Sequence, residues 1–555
     1  MDRSIKCCHE TCENSPVVIF VRIIPLEWHH SDTIPHITIA VCIVTSEYAS
    51  GRQVTGLTGY ARSGADAVYF FVKVSVFQYG TSQQGSVGFT AAVCDFFIDG
   101  CRRFPWRHYV NKHACEEQSV TILVTVAGVG GATVHGRLVV CYVGAWSVYR
   151  AGRGSWSLDN LDPTLCTHLV YAFAGLDNKT NTIRSLDEYH DLEDNYGKGT
   201  YKKMTALKNR YPHLKVSLAI GGWNEGSANY SIMASSPVNR RAFINSASEF
   251  IRKYGFDGLD LDWEYPAKRG GVPADKENFV NLVRELREEF DKYGWLLTAA
   301  LGMGQDTIDA AYDIPALSRY LDYMHAMCYD LHGSWDNRVG ANAPLRSSQP
   351  DDKLTVEYAI KYMIKQGAPP RKLVLGLALY GRTFLLENEE NTLVMGAPAG
   401  SKGFPGPYSK EDGFMGYNEI CLNVSNGWKI FWDDDSMTPY AVQGSKVITY
   451  DDERSIAEKV KFAMKLELAG TMVWSIDTDD FHGDCINNSG GGSSNYPLMR
   501  TISKTIIEAL KEKQEQEDRG QTEHTTDQKP SAACKIEAVQ WVMAALIVVR
   551  HSVLV

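Results

Sequence analysis

Short apolar runs punctuate the chain from residue 138 onward: Leu138–Val143, Leu169–Phe173, Val216–Ile220, Phe256–Leu261, Leu296–Leu301, Tyr323–Met327, Leu373–Leu377 and Thr471–Trp474. They are nearly continuous rather than alternating, as strands covered on both faces must be. Between several of them the apolar period becomes helical. In "ENFVNLVRELREEFDKYG", Phe279, Leu282, Val283, Leu286 and Phe290 share one face, charge takes the other, and Gly294 marks the stop. "ERSIAEKVKFAMKLELAG" repeats this with Ile456, Val460, Ala463 and Met464. Eight strand-then-helix units predict an α/β fold, a closed (β/α)8 TIM barrel rather than an open sheet. A last helix through Leu498, Ile502, Ile506 and Leu510 completes a domain over residues 137–513.

One connection is too long for a plain loop. The stretch between Leu379 and Tyr450 is rich in Gly, Pro, Tyr and Trp, and structureless loops of that length are uncommon. It predicts a small α+β insertion after the seventh strand, over about residues 381–447. Residues 514–533 are charged and polar with no apolar period, and read as a disordered linker. The tail 534–555 ends "AVQWVMAALIVVRHSVLV", where Arg550 and His551 make a poor spanning helix. Ser531, Ala532 and Ala533, a short spacer and the apolar tail resemble a glycolipid (GPI) anchor signal, which would give a membrane tether. An amphipathic tail is the alternative.

Residues 1–118 carry no motif and form an extension of unclear status. The segment 119–136, "SVTILVTVAGVGGATVHG", is apolar and closes on small residues. It reads either as a buried strand pair or as a secretory signal. The second reading is preferred, and it would leave residues 1–118 outside the mature protein.

Composition adds exclusions. The chain is 44% hydrophobic and 22% charged, with a net charge of −10 and a pI near 5.9. That gives no basic footprint for nucleic acid. Of the thirteen cysteines, six (Cys141, Cys166, Cys328, Cys421, Cys485 and Cys534) lie beyond residue 120. No Cys/His spacing suggests a metal site. Sequons at Asn178, Asn229, Asn423 and Asn487 would be glycosylated only in a secreted chain.

The chemistry concentrates in "FDGLDLDWEYP", residues 256–266. On a strand, residues two apart share a face. Asp260, Asp262 and Glu264 therefore point one way and Leu259, Leu261 and Trp263 the other. A solvated edge strand would not explain the second set. Acids converging in a barrel mouth raise one another's pKa, and Glu264 stands where the strand ends, the catalytic end in this fold. A carboxyl group kept protonated there is suited to protonating a leaving oxygen.

D-G-L-D-L-D-W-E resembles the DxxDxDxE signature of family-18 glycoside hydrolases, the animal chitinases especially. "CYVGAWSVYR", "CTHLVYAFAGL", "LAIGGWN", "MCYDLHGSW", "GLALYGRTF" and "GTMVWSIDTDD" resemble that family's strand-end motifs in order, from about Leu138 to Leu510.

The resemblance implies an endo-acting chitinase that uses the substrate's N-acetyl oxygen as nucleophile, with retention and no second catalytic carboxylate. Glu264 would be the general acid. Asp262 would orient the acetamido N–H and stabilise the oxazolinium, and Asp260 would pair with Asp262. Tyr329 would hold the acetamido group. Asp257, of opposite parity, would take a supporting, buried hydrogen-bonding role. Trp474 would floor the reacting sugar, Tyr142, Trp146, Phe173, Trp223 and Trp335 would be sugar platforms, and Met327, Asp330, Tyr380 and Arg382 would line the cleft.

The same resemblance implies disulfides Cys141–Cys166 and Cys421–Cys485, no metal or organic cofactor, chitin or chito-oligosaccharide as partner, a monomer, and secretion. Cys328 replaces the family's usual Thr, and His325 stands where a small polar or apolar residue is usual. No six-cysteine chitin-binding module follows the barrel, which favours soluble or exposed chains as substrate. The alternatives are a catalytically silent chitinase-like lectin, which typically loses the acid, and an endo-N-acetylglucosaminidase.

Overall fold

The structure, a computed structural model, describes residues 136–388, 394–485 and 495–525, together with three short strands nearer the N-terminus. The chain divides into two compact units, Met1–Gly130 and Gly131–Val555. In the first, Phe71–Ser75, Ala92–Phe97 and Thr121–Val124 form an antiparallel sheet in that order. Thr121–Val124 lies in the segment read as signal-like. The rest of residues 1–135 and the tail beyond 525 lie outside the described residues.

In the second unit the eight apolar runs become eight parallel strands: β1 (Leu138–Gly144), β2 (His168–Asp177), β3 (Lys215–Gly221), β4 (Gly258–Asp262), β5 (Leu296–Gly302), β6 (Tyr323–Met327), β7 (Leu373–Ala378) and β8 (Gly470–Trp474). Each pairs with the next, and β8 pairs with β1, closing the barrel. The helix Asp275–Phe290 buries the five apolar residues its period marks, and Gly294, at φ +68, lets the chain reverse.

Two cores result. The larger lies between strands and helices and takes Leu259, Leu261, Trp263, Phe279, Leu286 and Val460. The smaller fills the barrel with Val140, Tyr142, Val170, Ala219, Val374 and Met472. Small residues decide the room left at the mouth. A Cβ on Gly376 would lie 2.3 Å from the Ala326 carbonyl and 3.0 Å from the Tyr329 ring.

The long connection is an α+β insertion. Its five-stranded antiparallel sheet is built from Tyr380–Leu385, Phe414–Gly416, Lys429–Asp433, Thr438–Gln443 and Lys446–Thr449, with a helix over Tyr417–Ser425. The last helix runs from Pro497 to Thr525, so residues 514–525 are helical where a disordered linker was expected. Its Glu and Gln residues lose little side-chain freedom in a helix. Both expected disulfides are present, and Cys328 is a buried free thiol.

Candidate active site

The register of β4 fixes the site. Asp260 lies beside Ala219 of β3 and Thr298 of β5, and its side chain turns into the barrel. There it meets Tyr142 of β1, whose hydroxyl donates to Oδ2 at 2.6 Å. Asp260, Asp262 and Glu264 are only 0, 4 and 8% exposed.

The loop after β4 is held by its own polar contacts. The Trp263 indole N–H donates to Ser227 Oγ at 2.6 Å, and that hydroxyl donates to the Tyr265 carbonyl at 2.7 Å. Buried Asp275 accepts from the main-chain N–H groups of Ala267 and Val272 and from the Ser231 hydroxyl. Glu264 is thereby pinned where the strand ends. Arg269 donates to the Glu264 carbonyl at 3.1 Å and to the Trp223 carbonyl at 2.9 Å.

The three acids sit in three electrostatic environments. Burial drives the Glu264 carboxyl up to about 7, opposed by the Tyr265 hydroxyl and the Arg269 charge and reinforced by Asp330. Asp262 is pushed well above the carboxylate range by burial and then by the charges of Glu264 and Asp260. Its buried Oδ1 has no hydrogen-bond partner in the protein. Asp260 behaves oppositely. Burial opposes its charge, but His325 and hydrogen bonds from His325, Thr298 and Tyr142 hold it below the ordinary value. Environments that separate acids in this way assign them different work.

Aromatic rings surround the acids. Trp474 lies 5.6 Å from Tyr142, 5.7 Å from Phe173 and 6.0 Å from Trp146, centroid to centroid. Trp146, Trp223 and Trp335 are 44, 59 and 51% exposed, offering faces after β1, β3 and β6. Asp330 accepts from the Tyr380 hydroxyl at 2.6 Å and from Arg382 Nε at 2.8 Å. Arg382 in turn sits 5.1 Å from the Trp335 ring. Tyr329 is buried near Tyr380, its hydroxyl 3.9 Å from the Met472 sulfur, and Met327 packs half-buried against the barrel core.

Several residues differ from expectation. Tyr142 is buried and bonded to Asp260, so it offers no platform; its inward position on β1 places it beneath the mouth. Tyr380 is also buried, under Phe414 at 4.7 Å, and reaches the cleft only through Asp330. Asp260 makes its hydrogen bonds to Tyr142, Thr298 and His325 rather than to Asp262. Asp257 precedes the strand at the opposite barrel end. It is half-buried, accepting from the Val216 N–H at 2.8 Å and pairing with Lys208 at 2.9 Å. It serves the barrel floor, away from the acids.

Of the sequon asparagines, Asn178 is exposed, Asn229 and Asn423 are half-buried, and Asn487 lies outside the described residues. Arg269, Thr298 and Asn342, whose Oδ1 accepts the Asp330 N–H, were not singled out from sequence. Inward parity on β5 could have found Thr298; a lone arginine in a Gly-rich loop carries no such signal. The only group of metal-ligand side chains among the described residues is Cys421, Asp480 and Cys485, and both cysteines are spent in a disulfide. A cavity of about 340 Å³, lined by Tyr149, Trp156, Tyr171, His190 and Lys198 among others, includes none of the acids.

A closed barrel with two acids on its fourth strand and a third just past its end, raised to about 7, is the framework of a glycosidase. Residues 138–479 match the model of glycosyl hydrolases family 18, and the chain belongs to that family. Probable chitinase 2 of Drosophila melanogaster is 54% identical over 404 residues, spanning 68% of this chain and 82% of that protein. The crystal structures of the group IV chitinase of Ostrinia furnacalis, free and in complex with allosamidin, are 41% and 42% identical, with TM-scores of 0.63 and 0.64. Each covers 67% of this chain, and the match spans 100% and 99% of theirs.

Proposed function

We propose that the protein is an endo-acting chitinase that hydrolyses β-1,4-linked N-acetylglucosamine chains with retention, using the substrate's acetamido oxygen as nucleophile. The observation that carries this reading is the contrast along β4: Glu264 raised to about 7 beside an Asp262 whose buried Oδ1 lacks a protein partner. A buried acceptor left unpaired is costly. An acetamido N–H would satisfy it, and in doing so would turn the acetamido oxygen toward the anomeric carbon.

In this mechanism Glu264 gives its proton to the glycosidic oxygen as the C–O bond breaks and the acetamido oxygen bonds to C1. Asp262 stabilises the positive oxazolinium. Glu264, now a carboxylate, takes a proton from the water that reopens the ring. Exposed tryptophans after three different strands suit a polymer crossing the mouth. That a group IV chitinase at 42% identity was solved in complex with allosamidin supports the reading of this chain as a chitinase. The two disulfides favour an extracellular setting.

The test is release of reducing ends from chito-oligosaccharide by the purified protein, and its loss in Glu264→Gln by about 10²-fold or more. The first product should carry the β configuration, and de-N-acetylated chains should resist cleavage. An inverted product, or equal cleavage of chains without acetamido groups, would overturn the reading.

A further inference from the structure

Beneath the acids lies a histidine that the proposed mechanism leaves without a task. His325, inward on β6 and 2% exposed, places Nδ1 2.7 Å from the Tyr142 hydroxyl and 3.2 Å from Asp260 Oδ1. The same tyrosine hydroxyl is 2.6 Å from Asp260 Oδ2, and the Thr298 hydroxyl donates to Oδ1 at 2.5 Å.

Counting protons decides which way these bonds run. Tyr142 has one hydroxyl proton and two close partners. If that proton goes to Asp260, the contact with His325 is a hydrogen bond only if Nδ1 carries a proton. If it goes instead to Nδ1, the short Tyr142–Asp260 contact is a hydrogen bond only if Asp260 itself is protonated, and His325 with the hydrogen bonds from Thr298 and Tyr142 holds that carboxyl below its ordinary value. The first arrangement satisfies every group.

We propose that His325 is a positioning residue that presents an Nδ1–H to Tyr142 and Asp260 and so keeps Asp260 a bare, acceptor-only carboxylate. With donors from Tyr142, Thr298 and His325 converging on it, Asp260 has no place for a proton. The proton of the Asp260–Asp262 pair then resides on Asp262, next to the reaction. This inference rests on the reading of Asp262 and Glu264 as the working acids.

The surroundings of His325 are accounted for strand by strand. β4 contributes Asp260 and, beyond it, Asp262; β1 contributes Tyr142, and β5 the neutral Thr298 hydroxyl. β2 contributes His168, which burial, then His325 and Lys215, push down to about 3. His168 is therefore neutral at working pH and does not compete as a cation. Tyr323, below His325 on β6, meets His168 edge-on at 6.2 Å.

The test is the pH dependence of chito-oligosaccharide cleavage by the full chain, compared with His325→Leu and Thr298→Val. Removing a donor makes Asp260 easier to protonate. The acid limb of kcat/KM should therefore move up by about one pH unit in His325→Leu and by less in Thr298→Val. A lower rate with the limb unmoved in both variants would mean that His325 only packs, and would overturn the proposal.

Imidazole ¹⁵N NMR of the wild-type chain provides a readout independent of turnover, with the His325 signal assigned by its displacement in Tyr142→Phe. A protonated Nδ1 supports the proposal and a bare Nδ1 sinks it, even if His325→Leu fails to fold. Wild-type protein inactive on chito-oligosaccharide would refute the chitinase reading while leaving the NMR result to decide this one.

Discussion

The Arg269 guanidinium lies 3.4 Å from the centre of the Trp223 ring. One arginine thus braces an exposed aromatic face and, through the Glu264 carbonyl, the strand end that carries the acid. Its charge also favours the ionised form of Glu264.

Replacing Arg269 with alanine should therefore have two separable effects. KM for chito-oligosaccharide should rise about two- to tenfold as the Trp223 ring loses its cation. The basic limb of the pH profile should move upward, because Glu264 keeps its proton longer. Arg269→Lys should restore part of the second effect and little of the first, since a lysine lacks the flat stacking surface. Steady-state kinetics across pH will measure both.

Glu264 also makes stability depend on pH. Its carboxyl is raised from 4.5 to about 7 in the folded state, so folding favours the protonated form. The contribution is fully present below about 4.5 and is lost as pH rises through about 7. Glu264→Gln, which cannot ionise, should be more stable than wild type above pH 7, by about 1–3 kcal/mol. The gap should close toward pH 4. Urea unfolding at several pH values checks it, and a constant gap would contradict the assignment.

The barrel was legible because its strands are doubly covered and its helices have one apolar face; each of the eight runs became a strand. The acids were legible because Asp260, Asp262 and Glu264 share one parity along the fourth strand and its exit. Tyr142 was not placed correctly, because sequence shows a residue near a strand end but not its depth below the rim. His325, Thr298 and Arg269 act across the barrel or across a loop. Their partners are 38 to 183 residues distant in the first two cases, and no local period records such contacts.

Gly221 should be intolerant of a side chain. Its φ is +116, and a Cβ would stand 2.2 Å from the Asp262 carbonyl oxygen, the acceptor of the Gly222 N–H at 2.9 Å. Gly221→Ala should cost about 2 kcal/mol or more. Activity should fall with it, because the strain falls on the Asp262 main chain. Thermal unfolding and kcat together test this.

The Cys141–Cys166 bridge ties β1 to the entry of β2 with a separation of 25 residues. Replacing both cysteines with serine should cost about 3 kcal/mol. The readout is the urea midpoint: in a Cys421→Ser/Cys485→Ser background, the further double substitution should bring it to the midpoint of that background protein after reduction.

The one-by-one alternation of acids and apolar residues along β4 has a consequence for how errors are exposed. A slip of a single position would drive three carboxylates into the greasy layer under the helices and hang Leu259, Leu261 and Trp263 over the cleft. No folded but misaligned form of this strand can persist. Deletion of a single residue between Gly258 and Glu264 should therefore eliminate the protein from the cell's output, instead of yielding a stable, inactive copy that occupies its substrate without cutting it.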